Sequence, residues 1–206
     1  MIKESDVLKI VKEDILEVLG RKGKKIPLKL MKLEVNVSQN FVFRAMNELE
    51  KEGLIKLSLE EKYGKRYIQL TNKGKNRAKD IIKKHLVLER YFKKRMSGRK
   101  AVKATNILEH YISTEVVDVI KELSTFEKEG VPLTEFNQKE GLITTINFDS
   151  RLFERLISMG IYPGGRIRII NKVPNGVIVG IKNKKFVLDK DIAKEIKVLE
   201  YKNLTS

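Results

Sequence analysis

The sequence predicts an α+β protein built in three parts, and three observations carry that prediction. Three short helical segments are followed by an alternating hairpin within residues 1–72; longer helical periods fill 73–130; short strands separated by Gly and Pro turns fill 131–206. The first part has the order of a winged helix-turn-helix. The second is helical, and the third has the short, closely spaced strands of a small β-barrel.

The elements follow from local pattern. Val7, Ile10, Val11, Ile15 and Val18 recur at helical spacing between about Glu4 and Leu19, and Gly20-Arg21-Lys22-Gly23 ends that helix. Pro27 opens a short second helix carrying Leu28, Leu30, Met31 and Leu33. A third helix starts at the N-cap Ser38 and stops at Gly53. Ile55–Leu59 and Arg66–Leu70 alternate as strands around a turn near Tyr63-Gly64. A long helix covers Asn72 to Arg95, with Ala78, Ile81, Ile82, His85, Leu88 and Phe92 as its stripe, and Ser97-Gly98 breaks it. That stripe fits packing within its own domain or joining a second subunit. Helices over 101–112 and 114–125 come next. Strands are expected at 141–146, 166–170, 176–181, 185–188 and 195–198, interrupted by a helix from Ser150 to Met159.

Composition narrows the function classes. Charged residues make up 34% of the chain and no cysteine is present, which excludes disulfides, thiolate metal sites and a cysteine nucleophile. No apolar run approaches the roughly 18 residues of a membrane span. The polar, acidic start is unlike a signal peptide, so a cytoplasmic location is expected. Of the net charge of +16, residues 55–103 supply +13, with 17 basic and 4 acidic residues. A Lys-rich surface alone does not explain cations concentrated beside so few acids; a polyanionic partner does. No phosphate-binding Gly loop, His-Glu-x-x-His sequence or nucleophile elbow occurs, so the reading is of a non-enzyme.

The third helix is two-faced. Val42, Ala45, Met46 and Leu49 share one side, whereas Asn40, Arg44, Asn47 and Lys51 share the other, and amide and guanidinium groups bond base edges and phosphates well. With Ser38 and Gln39 at the helix start, these form the expected recognition face for double-stranded DNA. Lys62, Lys65 and Arg66 at the hairpin tip suit phosphate contact. Two histidines complete the chemistry. His85 lies four residues before Glu89 on one helix face, and His110 follows Glu109. Imidazole with carboxylate suits first-row divalent ions, but spacing alone favours a satisfied core histidine with an incidental surface ion pair.

Four stretches carry a family resemblance: Glu48-Leu49-Glu50-Lys51-Glu52-Gly53-Leu54, Leu70-Thr71-Asn72-Lys73-Gly74, Lys84-His85-Leu86-Val87-Leu88-Glu89-Arg90, and Leu108-Glu109-His110-Tyr111-Ile112-Ser113-Thr114-Glu115-Val116. In this order they resemble the iron- and manganese-dependent repressors typified by the diphtheria toxin repressor. Arg155-Leu156-Ile157-Ser158-Met159-Gly160-Ile161-Tyr162-Pro163-Gly164 is similar to an SH3-like FeoA-type domain. The resemblance implies a winged-helix domain over 1–72, a helical metal-binding and dimerisation domain over 73–130, and the FeoA-type barrel over 131–206. It implies His85, Glu89, Glu109 and His110 as ligands of Fe²⁺ or Mn²⁺, with Glu13 as a carboxylate ligand of the manganese-responsive branch. Ile10 stands where the family has a Met or Asp ligand, and Asn106 where it has Cys or Glu. Asn106 retains a carbonyl oxygen; Ile10 offers no donor. The expected function is a homodimeric, metal-responsive repressor of metal-uptake genes, reading a palindromic operator through residues 38–52 and the wing 55–70. The alternative is a metal-independent regulator of the same fold with a degenerate metal site.

Overall fold

The computed structural model describes residues 4–35, 37–60, 64–125, 130–147 and 150–200, and the chain divides into two compact units, Met1–Lys84 and His85–Ser206. Fold class follows the expected α+β order of helices and wing, helices, then strands.

The first unit contains α1 (Glu4–Lys22), β1 (Ile26–Pro27), α2 (Leu28–Glu34), α3 (Gln39–Lys51), β2 (Ile55–Glu60) and β3 (Lys65–Leu70), and ends within α4 (Asn72–Lys93). Leu8, Val11, Ile15, Leu16 and Leu19 of α1 meet Val42, Ala45, Met46 and Leu49 of α3 in one core with Ile55, Ile68 and Ala78. Each fully buried aliphatic side chain there contributes about 1.5–3 kcal/mol. The hairpin is antiparallel, from Ile55 opposite Leu70 to Glu60 opposite Lys65, and β1 adds on the far edge of β3 through Ile26 opposite Ile68. Two residues are too few for β1 to show alternation in the sequence.

The end of α1 differs from expectation for a physical reason. α1 runs through Gly20 to Lys22 and is ended by Gly23, whose φ of 66° only glycine adopts freely. Gly20 serves packing instead: a Cβ there would lie 2.8 Å from Ile82 Cδ1 and 2.9 Å from Ala78 Cβ, so its absence lets α1 approach α4.

The second unit contains the end of α4, then α5 (Gly98–Leu108), α6 (Thr114–Leu123), β4 (Val131–Pro132), β5 (Glu140–Ile146), α7 (Ser150–Ser158), β6 (Arg166–Val173), β7 (Gly176–Ile181), β8 (Lys184–Asp189), α8 (Lys190–Lys194) and β9 (Ile196–Glu200). The strands form one antiparallel sheet in the order β4-β9-β5-β6-β7-β8. Register shifts at Ile143/Thr145 and Ile169/Asn171 bend it, as bulges do. Helices and sheet share a single core: Leu88, Tyr91 and Phe92 of α4, Leu108 of α5 and Ile120 of α6 pack with Ile143, Phe153, Ile167 and Val179. Phe92 meets Phe153 of α7 edge-on at 5.9 Å between ring centroids. Arg95 closes the end of α4, stacking over Tyr91 at 4.0 Å and donating to Leu123 O at 3.1 Å. No helix among the described residues is long and apolar enough to cross a membrane.

Candidate nucleic-acid interface and metal centre

The polar face of α3 is left exposed by the burial of its opposite side. With Val42, Ala45, Met46 and Leu49 inside, Gln39, Asn40, Arg44, Asn47 and Lys51 are exposed together. Ser38 occupies the N-cap position of α3 and is exposed, and its hydroxyl makes no cap bond. The helix ends in a Schellman turn: Leu54 N donates to Leu49 O at 2.8 Å, with Gly53 at φ 68°. Lys65 and Arg66 are exposed on β3, while Lys62 lies outside the described residues.

Three contacts around α3 were not anticipated from the sequence. Lys12 of α1 donates to Glu48 Oε2 at 3.1 Å and also to Glu52, whose i,i+4 spacing is the sequence signal that could have revealed the clamp. Burial lowers the Lys12 pKa, but hydrogen bonds and charge from Glu52 and Glu48 outweigh it, so the net shift is upward from 10.5. Glu50 Oε1 accepts from Leu57 N at 3.2 Å, tying α3 to β2 of the hairpin. Arg44 itself bonds Glu4 on α1, with both side chains more than half exposed.

The histidine cluster forms in the second unit. α4 presents His85 and Glu89 on one face, and Glu89 pairs with Lys93 at 2.8 Å. α5 stops at Leu108, so Glu109 and His110 sit in the turn after it rather than on a helix. Apolar Ile112 continued the helical period and disguised that turn. His85 Nδ1 lies 2.9 Å from Glu109 Oε2, and His110 Nε2 lies 3.7 Å from Glu109 Oε1. Glu109 is 3% exposed, and a carboxylate so buried needs compensation from both oxygens. Asn106 is on the exposed side of α5, away from its buried Ala101, Ala104, Thr105 and Leu108. In the first unit, Glu13 is buried on α1, 3.8 Å from Arg77, and Ile10 is half-buried.

The donor set fits a divalent transition metal. Two atoms each about 2.0–2.2 Å from a common ion at right angles stand about 3 Å apart, so the His85–Glu109 separation serves a hydrogen bond or adjacent ligands equally well. Imidazole and carboxylate without thiolate suit Mn²⁺, Fe²⁺ or Zn²⁺.

Comparison with known proteins agrees with this chemistry. Residues 71–129 match the family described as iron dependent repressor, metal binding and dimerisation domain, and residues 131–200 match the FeoA domain. Among solved structures, the crystal structure of ScaR with bound Zn²⁺ is 22% identical, covering 92% of this chain and 99% of that chain with a TM-score of 0.44. The manganese regulator SloR is 16% identical over 92% and 98%, TM-score 0.45, and T. acidophilum IdeR is 22% identical over 97% and 99%, TM-score 0.42. No curated protein matches the chain. The two family matches define a metal-dependent transcriptional repressor, a class of regulators and not of enzymes. The chain belongs to the iron-dependent repressor family of the diphtheria toxin repressor type, with a C-terminal FeoA domain.

Proposed function

We propose that this chain is a homodimeric repressor of metal-uptake genes that responds to Fe²⁺ or Mn²⁺ and reads a palindromic operator through the helix 38–52 and the wing 55–70. The observation that carries the metal response is the buried Glu109 carboxylate facing His85 and His110. His85, Glu109, His110 and Glu89 would hold the ion, with Glu13 the further carboxylate that the family resemblance implies. When bound, the ion supplies a concentrated positive charge that a buried carboxylate and neutral imidazoles can share. The protein's own part is to keep Glu109 dry and to orient the His85 ring through Nδ1. Arg44, Asn40 and Asn47 would address base edges, and Lys65, Arg66 and Lys62 the phosphates, which fix register without reading sequence.

If metal favours the DNA-competent state, DNA must tighten metal by the same factor. The test is titration of a palindromic operator with Fe²⁺, Mn²⁺, Zn²⁺ and chelator. The proposal expects tighter binding with Fe²⁺ or Mn²⁺ and loss on chelation. One observation favours a second reading, a metal-independent regulator with a degenerate site: Ile10 offers no donor, and Asn106 faces outward. Unchanged operator affinity after chelation selects it.

A further inference from the structure

The first unit contains a cavity of about 510 Å³, within the roughly 300–1,000 Å³ range of small-molecule sites. Its floor is apolar: Leu19 from the end of α1, Leu70 from the base of the wing, and Ala78 and Ile82 from α4. Its rim is cationic, from Lys24 and Lys25 after α1 and from Lys75, Lys79 and Lys83 on α4; no Asp or Glu lines it. Lys25 lies over the Tyr67 ring at 4.9 Å. Among the described residues, no carboxylate is paired with Lys24, Lys75, Lys79 or Lys83.

The spacing on α4 makes the pattern informative. Lys75, Lys79 and Lys83 recur every four residues, and like charges at that spacing weaken a helix instead of supporting it. A merely solvated face gains nothing from that arrangement. An anion seated among them reverses its sign, and the apolar floor selects an anion with an apolar body. The cavity opens at the base of the wing, whereas phosphate contact is expected at the far, tip end of the hairpin, five residue steps or about 17 Å along β3.

We infer that this cavity is a binding site for a small anionic amphiphile, a carboxylate or phosphate monoester carried on an aliphatic or aromatic body. The cationic rim holds the head, and Leu19, Leu70, Ala78 and Ile82 cover the tail. The site requires no metal, so it stands or falls independently of the histidine cluster.

The test uses the full-length, metal-free protein and the fluorescent probe 8-anilinonaphthalene-1-sulfonate, with decanoate, decyl phosphate and decyltrimethylammonium as competitors. Saturable probe binding is expected, displaced by decanoate or decyl phosphate and not by the cation. Whichever of the two anions displaces at lower concentration identifies the headgroup. Lys79→Glu combined with Lys83→Glu, both exposed positions, should weaken probe binding about tenfold or more while the near-ultraviolet circular dichroism is kept. Ile82→Trp fills the floor and should abolish it. Non-saturable binding, equal displacement by the cation, or full retention in the lysine variant overturns the inference. Displacement by a short DNA duplex in place of the anionic amphiphiles overturns it too, assigning the lysines to DNA.

Discussion

Gly74 stands where a single methyl group would strike the main chain: a Cβ there would lie 1.8 Å from Leu54 O. The reason for the close approach is Thr71. Its hydroxyl accepts from Gly74 N at 3.0 Å, capping α4, and donates to Gly53 O at 2.7 Å, while Thr71 N donates to Leu54 O at 3.0 Å. The stretches 48–54 and 70–74 are thus halves of a single joint. Gly74→Ala should cost about 2–3 kcal/mol, because backbone rather than a flexible side chain must yield. Urea denaturation checks it, and an unchanged midpoint would refute it. Glu109 gives the second prediction at this scale. Glu109→Gln keeps the shape and removes the charge, so added Mn²⁺ should raise the thermal midpoint of the wild-type chain and leave the variant's unmoved. The pairing of His85 with Glu109 was not legible from spacing, since 24 residues and a helix break separate them. The residue types suggested metal chemistry; only the fold brought them to 2.9 Å.

At the scale of elements, the helical period made α1, α3, α4 and α6 legible because each buries one stripe. It said nothing of β1 and β4, at two residues each, or of α8, at five, where no period can develop. It also misassigned Gly20, because a glycine that ends a helix and one that admits a neighbour look alike in sequence. How α3 is held was equally hidden, and the Lys12 clamp on Glu48 and Glu52 makes it testable. The folded-state pKa of Lys12 is raised, so its contribution is fully present below 10.5 and is lost as pH rises through the higher folded value. Lys12→Met should therefore lower stability by about 1 kcal/mol at neutral pH, the scale of partly exposed ion pairs. The difference from wild type should shrink in strongly alkaline solution. Tyr162, whose pKa burial also raises, adds an alkaline loss of its own to both proteins, so the difference between them is the quantity to measure. A gap that stays constant from pH 7 to beyond 11 would remove the clamp from the account.

For the whole molecule, the excess of 13 positive charges in residues 55–103 must be divided among tasks, and salt dependence divides them. A cation on phosphate releases a counterion when DNA binds, and each such contact adds about 0.9 to the slope of log affinity against log salt. A side chain reading a base edge changes affinity differently for different sequences. Arg44 is exposed at the second turn of α3 and held by Glu4 in the free protein, an exchangeable pair because both groups are open to solvent. Arg44→Ala should thus reduce discrimination between operator and unrelated DNA by about tenfold, the loss of one base contact. Lys65→Ala should weaken both DNAs alike and lower the salt slope by about one. Filter binding over 50–300 mM salt on both DNAs reads the two effects separately. An Arg44→Ala protein with the wild-type specificity ratio would leave the face of α3 without its assigned role, and a Lys65→Ala protein with the wild-type slope would detach the wing from phosphate. The lysines lining the cavity of the first unit supply the control: Lys79→Glu with Lys83→Glu should change the probe affinity while leaving the count of phosphate contacts, read as the slope, where it was.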